Sequence, residues 1–152
     1  MISGVVITPL MPHSDDRGRV MPMLRSDSPV FQSFGEIYFS TVLPGAIKAW
    51  RRHKLMGLNY ALIAGEVTLV LFDDRPGSLT NGHVQSLKLT RDSYCLITIP
   101  PMVWNGFQGN GDSESIIANC ATMPHDGAEI DRLPEFSSMI PHKWDSPGSE
   151  SP

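Results

Sequence analysis

Hydrophobic and polar residues alternate with a period of two in several short segments of the chain, as they do in half-buried β-strands. Residues 84–89 alternate strictly, and segments rich in β-branched residues predict further strands over 34–42, 46–51, 60–64, 67–72, 95–99 and 115–121. Gly65-Glu66 separates two of these segments and predicts a tight hairpin. No stretch of a dozen residues follows the 3.6-residue period of an amphipathic helix, although residues 126–133 allow one or two helical turns.

Turn-forming residues separate the predicted strands. The chain has 152 residues, of which 13 are glycine and 13 are proline, and 41% of its residues are hydrophobic. This length predicts one domain whose core needs no disulfide or metal to hold it. Eight or more short strands joined by turns favour a sandwich, a jelly roll or a small barrel. We expect a single domain over residues 1–144 and a disordered Ser/Pro/Gly-rich tail over 145–152.

Charge and targeting signals narrow the class of protein. Lys and Arg number 12 against 16 Asp and Glu, a net charge of -4, which is the wrong balance for neutralising nucleic-acid phosphates. No apolar run approaches the length of a membrane span and no signal peptide is visible, so we expect a cytoplasmic protein. Cys95 and Cys120 lie among apolar residues and are interpreted as buried free thiols, although their spacing also allows one disulfide.

Five local patterns occur in an order and at distances that resemble one family. They are His13-Ser-Asp-Asp-Arg-Gly, Pro44-Gly-Ala-Ile-Lys-Ala-Trp-Arg-Arg-His-Lys, Gly65-Glu-Val-Thr-Leu-Val-Leu-Phe-Asp-Asp-Arg-Pro-Gly-Ser, Ile99-Pro-Pro-Met-Val-Trp-Asn-Gly-Phe and Asp131-Arg-Leu-Pro. Together, across residues 8–134, they resemble the dTDP-4-dehydrorhamnose 3,5-epimerase family of nucleotide-deoxysugar enzymes. The resemblance implies an all-β cupin jelly roll, a role in deoxysugar biosynthesis, and a homodimer whose N-terminal strands exchange.

The family's reaction removes a proton next to the C4 ketone of a sugar and returns it on the opposite face. It needs a base with a pKa near neutral, a donor that stabilises the enolate oxygen, and an acid on the other side. The chain departs from the family at these positions. Arg51, which cannot act as a base, replaces the histidine base, Asn105 replaces a second histidine, and His125 replaces the tyrosine acid. Leu58 and Glu36 stand where the family has a lysine and a glutamine.

Strand alternation adds His53 to this set. If Lys48, Trp50 and Arg52 face one side of their strand, Arg51 and His53 share the other side. The resemblance implies that this second side faces the cavity. Arg51 and His53 are therefore expected to line the ligand site together.

These positions lead to a set of expected roles. We expect His125 to act as acid and base, Arg51 to stabilise an enolate or a phosphate, and His53 to be a further titratable group of the site. Substrate contacts are expected from Arg17, Glu36, Lys48, Asn105 and Arg132. Structural roles stay open for several of these residues: an exposed ion pair for Arg17, a solvent-facing position for Glu36, a structural amide for Asn105 and an exposed turn for His125.

Metal and cofactor sites are not expected. Metal-binding cupins use G-x5-H-x-H with further ligands downstream, and this chain keeps only His53 of them; a lone histidine does not hold a transition metal. Glycine patterns that bind dinucleotides or ATP phosphates are absent from the sequence. The main hypothesis is therefore a protein that binds or epimerises a dTDP-4-keto-6-deoxy sugar. The alternative is an inactive or repurposed cupin that acts as a ligand-binding module or in secondary metabolism.

Overall fold

Twelve β-strands and one 3₁₀ turn make up the structure, a computed structural model that describes residues 1–145. The turn lies at Gly127–Glu129, and the strands are β1 (Val6–Pro9), β2 (His13–Asp15), β3 (Gly18–Val20), β4 (Glu36–Val42), β5 (Ile47–His53), β6 (Leu58–Ala64), β7 (Val67–Phe72), β8 (Val84–Leu89), β9 (Cys95–Ile99), β10 (Trp104–Gly109), β11 (Ser115–Ala121) and β12 (Ile130–Arg132). None of the described residues forms a helix that is long and apolar enough to cross a membrane.

Ten of the strands form two antiparallel sheets of five strands each, which face each other as a jelly roll. The first sheet has the order β1-β9-β6-β11-β4, and the second has the order β12-β5-β10-β7-β8. Strands β2 and β3 pair with each other in a separate, exposed hairpin. The hydrophobic pattern favours a sandwich, a jelly roll or a small barrel, and the all-β jelly roll that the family resemblance implies is confirmed.

The hydrophobic pattern predicts most strand boundaries to within two residues. Strands β7, β8, β9 and β11 have the predicted bounds. The pattern does not predict β10, because its two glycines and the preceding Pro-Pro are typical of turns. Residues 126–133 form the 3₁₀ turn and β12 rather than a longer helix.

The hairpin predicted at Gly65-Glu66 is wrong. β6 belongs to the first sheet and β7 to the second, so this turn carries the chain from one sheet to the other. Gly65 has a φ of +79°, and a Cβ atom there would lie 2.2 Å from Ser115 Oγ, so the crossing requires glycine. The Ser115 hydroxyl donates to Glu66 O at 2.9 Å and accepts from Glu66 N at 3.0 Å.

Apolar side chains of both sheets fill the space between them. The most deeply buried are Leu58, Leu69, Leu71, Ile97, Ile99 and Ile117. The outer face of the first sheet is covered by apolar side chains from the segment 10–30. On the outer face of the second sheet, Ile140 and Trp144 from the C-terminal segment pack against Trp50. Both faces of each sheet are thus at least partly shielded from water.

The C-terminal segment is anchored as far as Asp145, where the sequence predicts the start of a disordered tail. Gln108 Nε2 donates to Asp145 O at 2.9 Å, and Asp145 N donates to Gln108 Oε1 at 3.2 Å. The rest of the predicted tail, residues 146–152, lies outside the described residues.

A β-bulge in β5 changes the register with β10. Asn105 is opposite Arg51, and Phe107 is opposite Lys48, so two residues of β5 lie opposite the single Gly106. A Cβ atom at Gly106 would lie 2.5 Å from the Cβ of Ala49. Glycine at this position therefore allows the bulged strand to pack closely.

The bulge decides which side chains of β5 face the interior. Side chains directly opposite each other lie on the same face of a sheet, so Lys48 and Arg51 share the interior face of their β10 partners. Trp50 and Arg52 lie on the outer face, where the Arg52 guanidinium stacks over Trp104 at 4.6 Å. The expected position of Lys48 on that outer face is wrong, because the bulge inserts one residue between Lys48 and Arg51.

Candidate functional site

A layer of polar side chains crosses the apolar interior of the barrel. On the first sheet, Tyr38, Asn119 and Tyr60 are neighbours in register across β4, β11 and β6. On the second sheet, Asn105 is opposite Arg51. Asn119, Tyr60 and Asn105 are buried, Tyr38 is half-buried and Arg51 is exposed. We call these five residues the polar layer.

Hydrogen bonds join the two sheets through the polar layer. Tyr60 Oη donates to Asn105 Oδ1 at 3.2 Å, and Asn105 Nδ2 donates to the backbone O of Arg51 at 3.1 Å. Asn119 Nδ2 donates to Tyr38 Oη at 2.9 Å. Burial raises the pKa of Tyr60, the nearby Tyr38 hydroxyl adds to the rise, and the Arg51 guanidinium opposes it. Tyr60 therefore stays neutral and holds Asn105 in place.

The strand order leaves the two sheets unpaired with each other along both sides of the barrel. Edge strands β1 and β8 border a cleft of about 560 Å³ with a largely apolar lining, which includes Ile7, Leu87, Leu89 and Ile97. By the same strand order, β4 and β12 are the edge strands of the opposite side, and we call the unpaired seam between these two strands the second opening. The polar layer reaches this second opening, because Tyr38 lies on β4 and Arg51 lies next to β12.

Three cationic side chains lie at the second opening, beside the polar layer. Arg132 is opposite Arg51 in register, so both share a face with Asn105. Lys48 lies on the same face beyond the bulge. All three side chains are exposed, and none has a salt bridge to an acidic residue of the part of the chain that the structure describes. Neighbouring like charges repel one another, so this cluster is suited to bind an anion.

His53 and Glu129 form a buried pair next to Arg51. His53 ends β5 on the face of Arg51, and its Nδ1 hydrogen-bonds Glu129 Oε1. Glu129 Oε2 accepts from the backbone N of Leu55 at 3.0 Å and of Met56 at 3.3 Å. Burial opposes ionisation of Glu129, but the bonds from His53 and the two backbone groups outweigh it and lower the pKa of this carboxyl. Glu129 therefore stays ionised at neutral pH.

In the neutral form of His53, an ionised Glu129 holds the ring proton on Nδ1, so that Nε2 carries the lone pair. Nε2 has no hydrogen-bond partner within residues 1–145. A carboxylate that orients a histidine in this way is the arrangement found in general bases. Within the same residues, no group of three or more His, Cys, Asp or Glu side chains is arranged to hold a metal ion.

Glu36 faces the interior at the start of β4. It is opposite the buried Ala121 and two residues before Tyr38, so the two side chains share a face. Glu36 Oε1 is buried and has no hydrogen-bond partner among the described residues. An unpaired buried oxygen costs free energy, which a donor group on a ligand would recover.

Two of the predicted site residues lie on exposed loops. Arg17 lies in the turn of the β2–β3 hairpin, where its Nη2 donates to Asp15 Oδ2 at 2.5 Å. His125 follows Pro124 in the loop after β11 and is exposed. The structure therefore brings Arg51, His53, Glu36, Lys48, Asn105 and Arg132 to one region, whereas Arg17 and His125 lie on exposed loops. The predicted role of His125 stays a prediction.

Four residues of the site are absent from the sequence-based set: Tyr38, Tyr60, Asn119 and Glu129. A weak signal exists for Asn119, which interrupts an apolar strand, and buried asparagine is uncommon unless it is hydrogen-bonded. Glu129 gives no such signal, because it lies in a polar segment predicted to be a turn.

Two known proteins are similar to nearly the whole chain. The spore coat polysaccharide biosynthesis protein SpsL of Bacillus subtilis (strain 168) is 31% identical over 148 residues, which cover 96% of this chain and 98% of SpsL. The probable low-salt glycan biosynthesis epimerase Agl13 of Haloferax volcanii is 30% identical over 149 residues, which cover 95% of this chain and 96% of Agl13. No protein-family model matches the chain.

Solved structures share the fold. The crystal structure of a dTDP sugar isomerase from Desulfovibrio desulfuricans G20 has 43% sequence identity and a TM-score of 0.92, and the match covers 94% of this chain and 92% of that chain. The 4-keto-6-deoxy sugar epimerase NovW from Streptomyces spheroides has 18% identity and a TM-score of 0.84, over 95% of this chain and 76% of that chain. The second match shows the fold alone.

Proposed function

The chain belongs to the dTDP-4-dehydrorhamnose 3,5-epimerase family, and from that premise we propose that it binds and isomerises a dTDP-linked 4-keto-6-deoxy sugar between its two sheets. The observation that carries the proposal is the unpaired cluster of Arg51, Arg132 and Lys48 beside the polar layer. The cluster supplies positive charge for a diphosphate. The four other residues of the polar layer supply neutral hydrogen-bonding groups for a sugar.

In this proposal the ligand lies in the opening between β4 and β12. Guanidinium groups match the geometry of phosphate oxygens, so Arg132 holds the diphosphate and Lys48 adds a second charge, while Arg51 is left for the ketone of the sugar. The sugar extends inward, where a hydroxyl donates to Glu36 Oε1. This contact would satisfy an oxygen that has no hydrogen-bond partner among residues 1–145.

Replacing Arg132 by glutamine should weaken dTDP binding by about tenfold to a hundredfold, because a hydrogen bond to a charged group contributes about 1.5–3 kcal/mol. Isothermal titration calorimetry with dTDP measures this effect. Arg25→Gln is the matched control, because Arg25 is exposed and pairs with Asp27 on a loop. Affinity within twofold of wild type for Arg132→Gln would contradict the proposed anion site.

The proposed base is His53. Its Nε2 removes the proton next to the C4 ketone, Glu129 stabilises the imidazolium that forms, and the Arg51 guanidinium stabilises the enolate oxygen. Arg51 itself supplies charge and hydrogen bonds but no basicity, since a guanidinium group does not give up its proton in a protein. The sequence-based assignment of acid and base to His125 remains a separate prediction, which the His125→Ala variant tests.

Deuterium exchange in heavy water tests the proposed function, with dTDP-4-keto-6-deoxyglucose as substrate and NMR as the readout. Because arginine stands in the usual base position and one carboxylate–histidine pair remains, we expect exchange at one carbon, C3 or C5. Exchange at both carbons at rates of about 1 per second or faster would contradict this expectation. Tight binding of dTDP without any exchange would support the alternative of a ligand-binding module.

We also propose a homodimer. Strand β4 is an edge strand, and its outer face carries Ile37 and Phe39, which are 57% and 64% exposed. Leu43 extends this apolar patch beyond the strand. Exposed apolar patches mark interaction surfaces, and a second copy is the partner that the family fold implies.

Analytical ultracentrifugation checks the dimer. We expect a species of about twice the 16.7 kDa chain mass, and a monomer when Phe39 is replaced by aspartate, because a buried unpaired charge is costly at an interface. Leu79→Asp is the control, because Leu79 is exposed on the loop between β7 and β8. A monomeric wild type at micromolar concentration would contradict the proposal.

We propose the cytoplasm as the location. Cys95 and Cys120 are free thiols, which is usual in a compartment that keeps thiols reduced. Burial raises the pKa of both thiols, so they are poorly reactive.

A further inference from the structure

Inversion at a carbon needs a base and an acid on opposite faces of the sugar ring. The proposed base, His53, lies on the second sheet. The family's tyrosine acid is replaced by His125, which is exposed on a loop. The first sheet faces His53 across the interior, so its side chains lie on the side of a bound sugar opposite His53.

Tyr38 is the residue of the first sheet that fits this requirement. It lies on edge strand β4 at the opening, with its ring packed against the core and its face shared with Glu36. Its outward neighbours Ile37 and Phe39 are exposed, as alternation along the strand requires. The half-buried Tyr38 is thus reachable by a ligand that enters between β4 and β12.

The hydrogen bonds of Tyr38 leave its own proton available. Tyr38 Oη accepts from Asn119 Nδ2 at 2.9 Å, and the Tyr38 hydroxyl proton has no acceptor among residues 1–145. Tyr60, the other tyrosine of the polar layer, differs in both respects. Its ring is buried, and its proton is donated to Asn105 Oδ1. Tyr38 is therefore the free donor, and the amide of Asn119 stabilises the phenolate that proton donation leaves behind.

We propose that Tyr38 is the proton donor of this site and acts on the face of the sugar opposite His53. The proposal rests on the proposed function. His53 Nε2 takes the proton from the carbon next to the ketone, the electron pair of that C–H bond forms the C=C bond of the enolate, and the π electron pair of the ketone moves to its oxygen, where Arg51 stabilises the charge. The electron pair then returns to the carbon, which takes the proton of Tyr38 Oη on the opposite face. The phenolate of Tyr38 regains a proton from solvent and the imidazolium of His53 loses one, so the cycle balances.

The test is Tyr38→Phe, which keeps the ring and removes the hydroxyl. The assay again uses dTDP-4-keto-6-deoxyglucose in heavy water and follows two signals by NMR: deuterium at the carbon with its configuration retained, and the inverted epimer. We expect formation of the inverted epimer to fall by about a hundredfold or more. Exchange with retention should stay within about threefold of wild type, because His53 can return a solvent-derived proton on its own face. Tyr94→Phe is the matched control, because Tyr94 lies on the outer side of the first sheet, where its hydroxyl is 3.4 Å from Met21 O.

Each outcome bears on the proposal. Inversion by Tyr38→Phe within about threefold of wild type would overturn it. A parallel loss of inversion, exchange and dTDP affinity would overturn it too, because that pattern indicates a role in binding or folding. A wild-type protein that neither exchanges nor inverts the substrate would refute the proposed function itself, before any comparison with the variant. Loss of inversion with exchange and dTDP affinity preserved would support the assignment.

Discussion

Replacing His53 by glutamine should slow deuterium exchange next to the ketone by about a thousandfold, while dTDP affinity stays within about threefold of wild type. The glutamine amide can still donate to Glu129, so the buried carboxylate keeps a partner, but the amide cannot take up a proton. The loss thus isolates the basicity of His53 from its structural contact with Glu129. Heavy-water exchange and calorimetry with dTDP measure the two quantities.

Two further variants test whether the base is His53, oriented by Glu129, or His125. Glu129→Gln keeps acceptors for the backbone N–H groups of Leu55 and Met56 but loses the charge that orients the histidine, so exchange should fall about a hundredfold or more. His125→Ala should leave exchange nearly unchanged if His53 is the base. Loss of exchange in His125→Ala with full activity in His53→Gln would return the role to His125.

The pH dependence of the pair follows from the lowered pKa of Glu129. A carboxyl with a folded-state pKa below its unfolded value of about 4.3 stabilises the fold above that value and loses this contribution as the pH falls through the lower value. Protonation of Glu129 should therefore not limit exchange at any pH above about 4.3. A decline in rate between neutrality and pH 5 would have to come from another group.

The sequence predicts the position of a strand wherever the residues of that strand show the hydrophobic pattern by themselves. Residues 67–72 and 84–89 show β-branched content or strict alternation, and the structure has strands there with the same bounds. The pairing of strands carries no such local signal. The turn at Gly65-Glu66 has the composition of a hairpin, but whether it joins neighbours or crosses between sheets is decided by long-range packing against Ser115.

The candidate site could be predicted in part for the same reason. Arg51 and His53 share one strand, so alternation alone places them on one face. Tyr38, Asn119 and Tyr60 lie on three strands that become neighbours only through the sheet order. For Lys48, alternation along the strand predicts the wrong face of the sheet. The cause is the bulge opposite Gly106, which is visible only in the register between β5 and β10.

We expect the largest loss of stability from a substitution in the loop that follows β7. Asp73 is completely buried and accepts five hydrogen bonds at 2.6–3.1 Å. Its Oδ1 accepts from Arg75 N and Nε. Its Oδ2 accepts from Arg75 Nη2, Ser78 Oγ and Thr80 Oγ1. Arg75 Nη2 also donates to Ser3 O at 2.7 Å, so the same carboxylate organises the N-terminal segment. Asp73→Asn should lower the free energy of unfolding by about 3 kcal/mol, since removing one partner of a buried ion pair costs about 3–5 kcal/mol. Thermal unfolding would then occur roughly 6–12 °C lower.

Acid provides a second test of the Asp73 network. The Arg75 guanidinium lowers the pKa of Asp73 far below its ordinary value, and the Ser78 and Thr80 hydroxyls add to this effect, although burial opposes it. The stabilisation is therefore complete above the unfolded-state pKa of about 3.9 and shrinks by up to about 1.4 kcal/mol per pH unit as the pH falls below it. Urea unfolding at pH 7 and at pH 2.5 measures the difference in the free energy of unfolding between wild type and Asp73→Asn. This difference should be about 2 kcal/mol smaller at pH 2.5. Asp92→Asn, which changes an exposed carboxylate, should leave both values unchanged. A gap of the same size at both pH values would mean that Asp73 stabilises the loop through its shape and not through its charge.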